Sequence, residues 1–83
     1  MPIPSEQQIY ATLTEIFREV FGKPSLTLNA DTNATSLDGW DSFAHVNIIV
    51  AVEDRFGVRF RAAEAQELRN VADLVRVIGL KLK

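Results

Sequence analysis

The sequence predicts an all-α fold with three substantial helices, one short third helix and a long loop between helices one and two. Two kinds of observation predict it. Apolar residues recur at spacings of three and four in three separate segments, each opened by a capping residue. The one strand-like alternation, Val58-Arg59-Phe60-Arg61, spans four residues and has no partner strand elsewhere.

The first helix is expected over about residues 5–21. Ser5-Glu6-Gln7-Gln8 reads as a capping box, with Ser5 as the cap and Gln8 reaching back to it. Ile9, Leu13, Ile16, Phe17 and Val20 form one apolar stripe, and Gly22 with Pro24 stops the helix. Residues 22–41 show no sustained period. Asn29, Asp31, Thr32, Asn33, Thr35 and Ser36 favour turns there, because short polar side chains compete for backbone hydrogen bonds. Leu26, Leu28, Leu37 and Trp40 are the expected anchors of this connection into the core.

The second helix is expected from Asp41-Ser42 to about Phe56, closed by Gly57. His45, Ile48, Ile49, Val52 and Phe56 make one stripe; Phe43, Val46 and Val50 make an adjacent one. Periodicity leaves the second stripe open between core and an exposed patch meant for a partner. Residues 58–61 read as an extended linker that turns Val58 and Phe60 inward. Ala62 to Leu68 holds a short helix at best. Asn70 is a good cap for the last helix, with Asp73 favourable to its dipole. Val71, Leu74, Val75 and Ile78 supply its stripe, and Gly79 is expected to weaken its end.

Eighty-three residues make one domain, residues 1–83. Its compact ends and Met1 favour a chain that stands alone. There is no cysteine, hence no disulfide and no thiolate metal site, and the single His45 argues against a protein-built metal centre. The N-terminus lacks the cationic and apolar regions of a signal peptide, and the apolar run Val46–Val52 falls far short of the roughly 20 residues that span a bilayer. A cytoplasmic monomer without stable membrane insertion is expected. Lys81-Leu82-Lys83 reads as a frayed helix end and not as a membrane contact. The net charge of −2 hides an asymmetry: residues 24–54 sum to −5 with no Lys or Arg, while residues 55–83 sum to +4. A one-signed span of that length suits the steering of a basic partner better than nucleic-acid binding.

Within the acidic span lies Leu37-Asp38-Gly39-Trp40-Asp41-Ser42-Phe43. A serine just after an aspartate, at the first turn of a helix, is exposed and addressable. As a lone dipeptide, Asp41-Ser42 is most simply a cap. A nucleophilic serine needs a base within reach, and His45, three residues along the same helix, is the one candidate. No glycine-flanked nucleophile elbow surrounds Ser42. No catalytic residue and no metal ligand is assigned. A phosphate at this helix N-terminus would be electrostatically favoured.

The larger constellation is more specific. Leu37-Asp-Gly-Trp-Asp-Ser-Phe, then Val46-Asn-Ile-Ile-Val-Ala-Val-Glu-Asp-Arg-Phe-Gly-Val, then Val71-Ala-Asp-Leu-Val resembles the acyl carrier protein family across essentially the whole chain. The resemblance implies a four-helix bundle with a short third helix. It implies that Ser42 accepts 4′-phosphopantetheine from coenzyme A, through a phosphopantetheinyl transferase, and that acyl groups then ride on the arm as thioesters. Asp41 would help orient the site, and its capping role is equally open. Asp38, Phe43, Val46, Asn47, Val50, Glu53 and Asp54 would meet partners: a loading ligase or acyltransferase, then condensing or acyl-transfer enzymes. The family match turns the second stripe towards a docking patch. It also places His45, Ile48, Ile49 and Val52 inward, beside the space where an acyl chain is sheltered, with His45 a satisfied boundary histidine.

Two departures bear on the pathway. Phe43 replaces the usual Leu, and Ala44 and Asn47 stand where common fatty-acid carriers have acids. Arg55 enters an otherwise acidic helix end. These point to a specialised carrier for a dedicated acyl, lipid or secondary-metabolite pathway over the housekeeping one of fatty-acid synthesis. The alternatives are a peptidyl, aminoacyl or D-alanyl carrier, an unmodified helical interaction module and, weakest, a small hydrolase using Ser42 and His45.

Overall fold

Local capping chemistry sets where each helix begins. The computed structural model describes residues 4–82. Residues 1–3 and Lys83 lie outside that range, and with Lys83 goes part of the charged end considered above. α1 spans Glu6–Phe21. Its capping box forms as read: the Gln8 N–H donates to Ser5 Oγ at 3.2 Å and the Ser5 N–H to Gln8 Oε1 at 2.8 Å. α2 spans Ser42–Phe56, α3 Ala62–Gln66 and α4 Val71–Leu82. Asn70 caps α4 by accepting the Asp73 N–H at 2.9 Å. Gly22 and Gly57 close α1 and α2 at φ of 63° and 68°, a region costly for any residue with a Cβ.

The fold class is therefore all-α, with four helices and no strand among the described residues. Gly79, expected to weaken the end of α4, lies inside the helix, which runs on to Leu82. Tertiary contacts on both sides of the glycine explain this: Ile78 is fully buried, and Lys81 Nζ reaches Glu64 of α3 at 2.9 Å.

α1 is the central element and packs on both α2 and α4. Leu13, Ile16 and Phe17 meet Ile48 and Val52 of α2 and Leu74 and Ile78 of α4 in one fully buried cluster. The stripes read from spacing are thus the core. Loop anchors join it, with Leu26 and Trp40 buried and Leu28 and Leu37 half-buried against it.

The long loop is held by its own polar side chains. Asn33 Oδ1 accepts the Thr35 and Ser36 N–H groups at 2.8 and 2.9 Å, and Asn29 Oδ1 accepts the Asp31 N–H at 2.9 Å. The loop also serves α4. Thr32 and Ala30 carbonyls accept the Val71 and Ala72 N–H groups at 2.9 and 3.1 Å, satisfying donors that a helix start leaves unpaired. After α2 the linker runs as expected, with Val58 buried and Phe60 half-buried. Glu53 Oε2 pins it by accepting the Phe60 N–H at 2.8 Å. Arg55 crosses to Glu15 of α1 at 2.7 Å.

Two carboxylates give this packing an acid limit. The Arg69 N–H, joined by the guanidinia of Arg69 and Arg76, holds the Asp73 carboxyl below its ordinary value of 3.8. The Arg61 N–H, with Lys81, holds Glu64 below its ordinary 4.5. A carboxyl lowered by folding adds stability above its ordinary pKa and loses it as pH falls through the lower folded value. The thermal midpoint is therefore expected to fall progressively below about pH 5. Asp73→Asn should flatten part of that decline in a thermal melt series. An unchanged slope would show that Asp73 is not among its sources.

Candidate functional site

Asp41 organises the start of α2. Its backbone is extended, and its Oδ1 accepts the Ala44 N–H at 2.8 Å while its carbonyl accepts the His45 N–H at 2.9 Å. The side chain is a cap, one of the two roles left open by the sequence. Gly39, at φ of 93°, makes the turn that delivers Trp40 and Asp41 to this point.

Ser42 is then the first residue of the helix and is exposed. Among the described residues its hydroxyl bonds to nothing in the chain, and the Ser42 and Phe43 N–H groups find no acceptor. Two free amides at the positive end of a helix dipole beside a free hydroxyl suit a phosphodiester on that oxygen. The donor set fits 4′-phosphopantetheine.

His45 does not serve Ser42. The Trp40 Nε1–H donates to His45 Nδ1 at 3.0 Å, and His45 Nε2 lies 2.8 Å from the Ala65 carbonyl. An indole N–H only donates and a carbonyl only accepts. The imidazole is therefore neutral, with Nδ1 accepting and Nε2–H donating. Both nitrogens are taken, so the ring is the satisfied boundary histidine and has no lone pair for a serine proton. The two rings also stack, 6.0 Å apart at 18°. Trp40 meets Phe17 edge-on at 5.2 Å. Breaking the indole bond inside this packing would cost about 1–3 kcal/mol for the unsatisfied N–H.

A cleft of about 670 Å³ opens beside Ser42, between α2 and α3. α2 contributes His45 and Val46 to its wall, and α3 with its flanks contributes Ala62, Ala65, Gln66 and Leu68. Ile48, Ile49 and Val52 face inward as expected; they are packed in the core and do not line this cleft. The α3 residues were missed because a short alanine-rich helix carries no periodic signal. The pairing of Trp40 with His45 was foreshadowed only by the rule that a buried indole N–H seeks an acceptor.

The second stripe of α2 is exposed: Phe43 is 79%, Val46 60% and Val50 57% accessible. Asp38, Asn47 and Asp54 are exposed as well. Glu53 is half-buried and already engaged with Phe60. It and Asp54 stand about 17 Å along the helix from Ser42. The acidic span of the sequence is not free of cations in space, since Arg69 joins the cleft wall, paired with Asp73 at 3.2 Å.

The chain matches the family model described as "Phosphopantetheine attachment site" over residues 11–78. It is 35% identical to an acyl carrier protein of Acidothermus cellulolyticus over 75 residues, covering 90% of this chain and 89% of that one. It is 39% identical to the meromycolate extension acyl carrier protein of Mycolicibacterium aurum over 75 residues, covering 89% of this chain and 76% of the relative. The solution structure of holo acyl carrier protein from Geobacter metallireducens superimposes with a TM-score of 0.81 at 41% identity, covering 88% of this chain and 84% of that one.

The division of labour between cap and hydroxyl is measurable. Asp41→Ala is expected to lower stability by about 1 kcal/mol in urea denaturation, as for other lost caps. Ser42→Ala, which removes no bond made by the chain, should stay within about 0.5 kcal/mol of the parent. A larger loss for Ser42→Ala than for Asp41→Ala would reverse the assignment.

Proposed function

The chain belongs to the acyl carrier protein family, and we propose that Ser42 is the residue on which its 4′-phosphopantetheine is mounted. The protein is a carrier that holds acyl groups as thioesters on that covalent arm. The arm supplies the thiol that a chain without cysteine lacks. The observation that carries the assignment is the exposed, unbonded Ser42 hydroxyl beside two unpartnered amides at the head of α2.

The residues around Ser42 have distinct tasks in this reading. Asp41 fixes the first turn so that the hydroxyl points outward and the Ser42 and Phe43 amides stay free. Ser42 Oγ displaces the adenosine bisphosphate of coenzyme A at phosphorus, so an O–P bond forms as a P–O bond breaks. The proton of the hydroxyl leaves to a base of the phosphopantetheinyl transferase, because both His45 nitrogens are occupied. The chain itself is a substrate and not an enzyme.

Phe43, Val46 and Val50 form the apolar part of the docking face, with Asn47 between them and Asp38 and Asp54 at its two ends. Apolar area supplies the contact, and the acids steer basic partners at a rate that falls with salt. Glu53 contributes charge to this face while holding the linker. The substitutions that make α2 less acidic, and the likeness to a meromycolate extension carrier, support a carrier dedicated to a specialised lipid pathway.

Incubation with coenzyme A and a broad-specificity transferase, followed by intact mass and peptide mapping, tests the assignment. One phosphopantetheinyl group is expected on Ser42 and none on Ser42→Ala. A folded parent that gains nothing, beside a working control carrier, points to an unmodified interaction module. Val46→Asp is expected to slow loading or transfer at least about tenfold with little change in stability, since it alters an exposed site. Unchanged transfer would remove Val46 from the docking face.

A further inference from the structure

The buried residues in the lining of the cleft beside Ser42 are Trp40 and Leu68, and His45 and Ala65 next to them are half-buried. Behind Trp40 lies Phe17, fully buried at the centre of the bundle. Trp40, with Leu68 of the same core cluster, therefore separates the cleft from the core. It is not free to swing. Its N–H holds His45 Nδ1, and the opposite nitrogen of the same ring holds the Ala65 carbonyl, so loop, α2 and α3 are tied by two consecutive bonds. For an acyl chain to pass from the cleft into the bundle, the indole must move and the first bond must break among apolar neighbours.

We propose that the Trp40–His45–Ala65 chain of hydrogen bonds is a gate that confines cargo to the surface cleft, making Trp40 and His45 specificity-determining for short acyl groups. The proposal rests on the attachment at Ser42. The polar atoms at the cleft's end are spent on one another, so they offer nothing to a polar cargo. At that end the ring faces, Leu68 and the alanines of α3 form an apolar surface, while Asp41, Gln66 and Arg69 lie elsewhere on the cleft's lining. A short chain lies against that apolar surface, whereas each further methylene of a long chain gains little because it stays wet. His45 acts through Trp40 and is a positioning residue.

The test loads the protein with butanoyl, hexanoyl, octanoyl or decanoyl pantetheine arms from the matching coenzyme A thioesters. The rate of thioester cleavage by hydroxylamine then reports shelter. In the parent the rate is expected to vary by no more than about twofold across the series. In Trp40→Leu, where the way inward is open, it should fall by about tenfold or more from butanoyl to decanoyl, since each buried methylene is worth up to about fourfold. His45→Ala leaves the indole in place but unlatched, should grade in the same direction, and serves if Trp40→Leu does not fold. Steep length-graded protection in the parent overturns the gate, and so does a folded variant that matches the parent. Mass measured before cleavage keeps two failures apart: an unmodified Ser42 overturns the attachment and the gate together, whereas a loaded protein with the wrong length dependence overturns the gate alone.

Discussion

The burial of Trp40 is the constraint on which the functional end of this molecule depends. The indole packs edge-on against Phe17, at the middle of the central helix, and gives its N–H to His45 on the next element. Its chain neighbour Asp41 caps α2 and presents Ser42. One side chain thus joins the core, the end of the long loop and the start of α2. A domain this small has a thin core, and without cysteine it has no covalent staple to share the load. The position of Ser42 is accordingly inherited from the packing of a ring two residues earlier.

The same structure keeps the proposed docking surface separate from the stabilising one. α2 gives Ile48, Ile49 and Val52 to the core and Phe43, Val46 and Val50 to solvent. In the proposed reading, this division would let the outer face be bound and released while the inner face stays packed. Two of the ion pairs, Arg55 with Glu15 and the part-buried Lys81 with Glu64, bridge one helix to another. An exposed pair such as Arg55 with Glu15 adds little energy. The effect of both pairs is to spend cations on the body of the protein, which leaves the exposed acids Asp38 and Asp54 unpaired among the described residues.

Much of the fold was legible because the signals are local. Ser5 with Gln8, Asp41 with Ala44 and Asn70 with Asp73 are contacts across three residues, and each marks a helix start that spacing then extends. The place of Ser42 at the head of α2 was legible for the same reason, being defined by its neighbours. What escaped is what the fold joins at long range. Ala65 meets His45 across 20 residues, and the loop carbonyls of Ala30 and Thr32 meet α4 forty residues on. No period or cap announces such pairs. How far α4 continues past Gly79 was not legible, since that depends on the burial of Ile78 beside it. The exposed or buried state of the second stripe was undecidable from spacing, since a stripe shows that residues share a face and not what covers it.

The central claim is that Ser42 is presented by a fixed frame, so that attachment changes its surroundings and leaves the core alone. Amide chemical shifts of the unmodified and phosphopantetheinylated forms test it most directly. The account predicts changes concentrated at Ser42, Phe43 and the cleft residues Ala65 and Leu68, with Leu13, Phe17 and Leu74 unmoved. Changes centred on another serine, such as Ser25 or Ser36, or spread through the core, would contradict it.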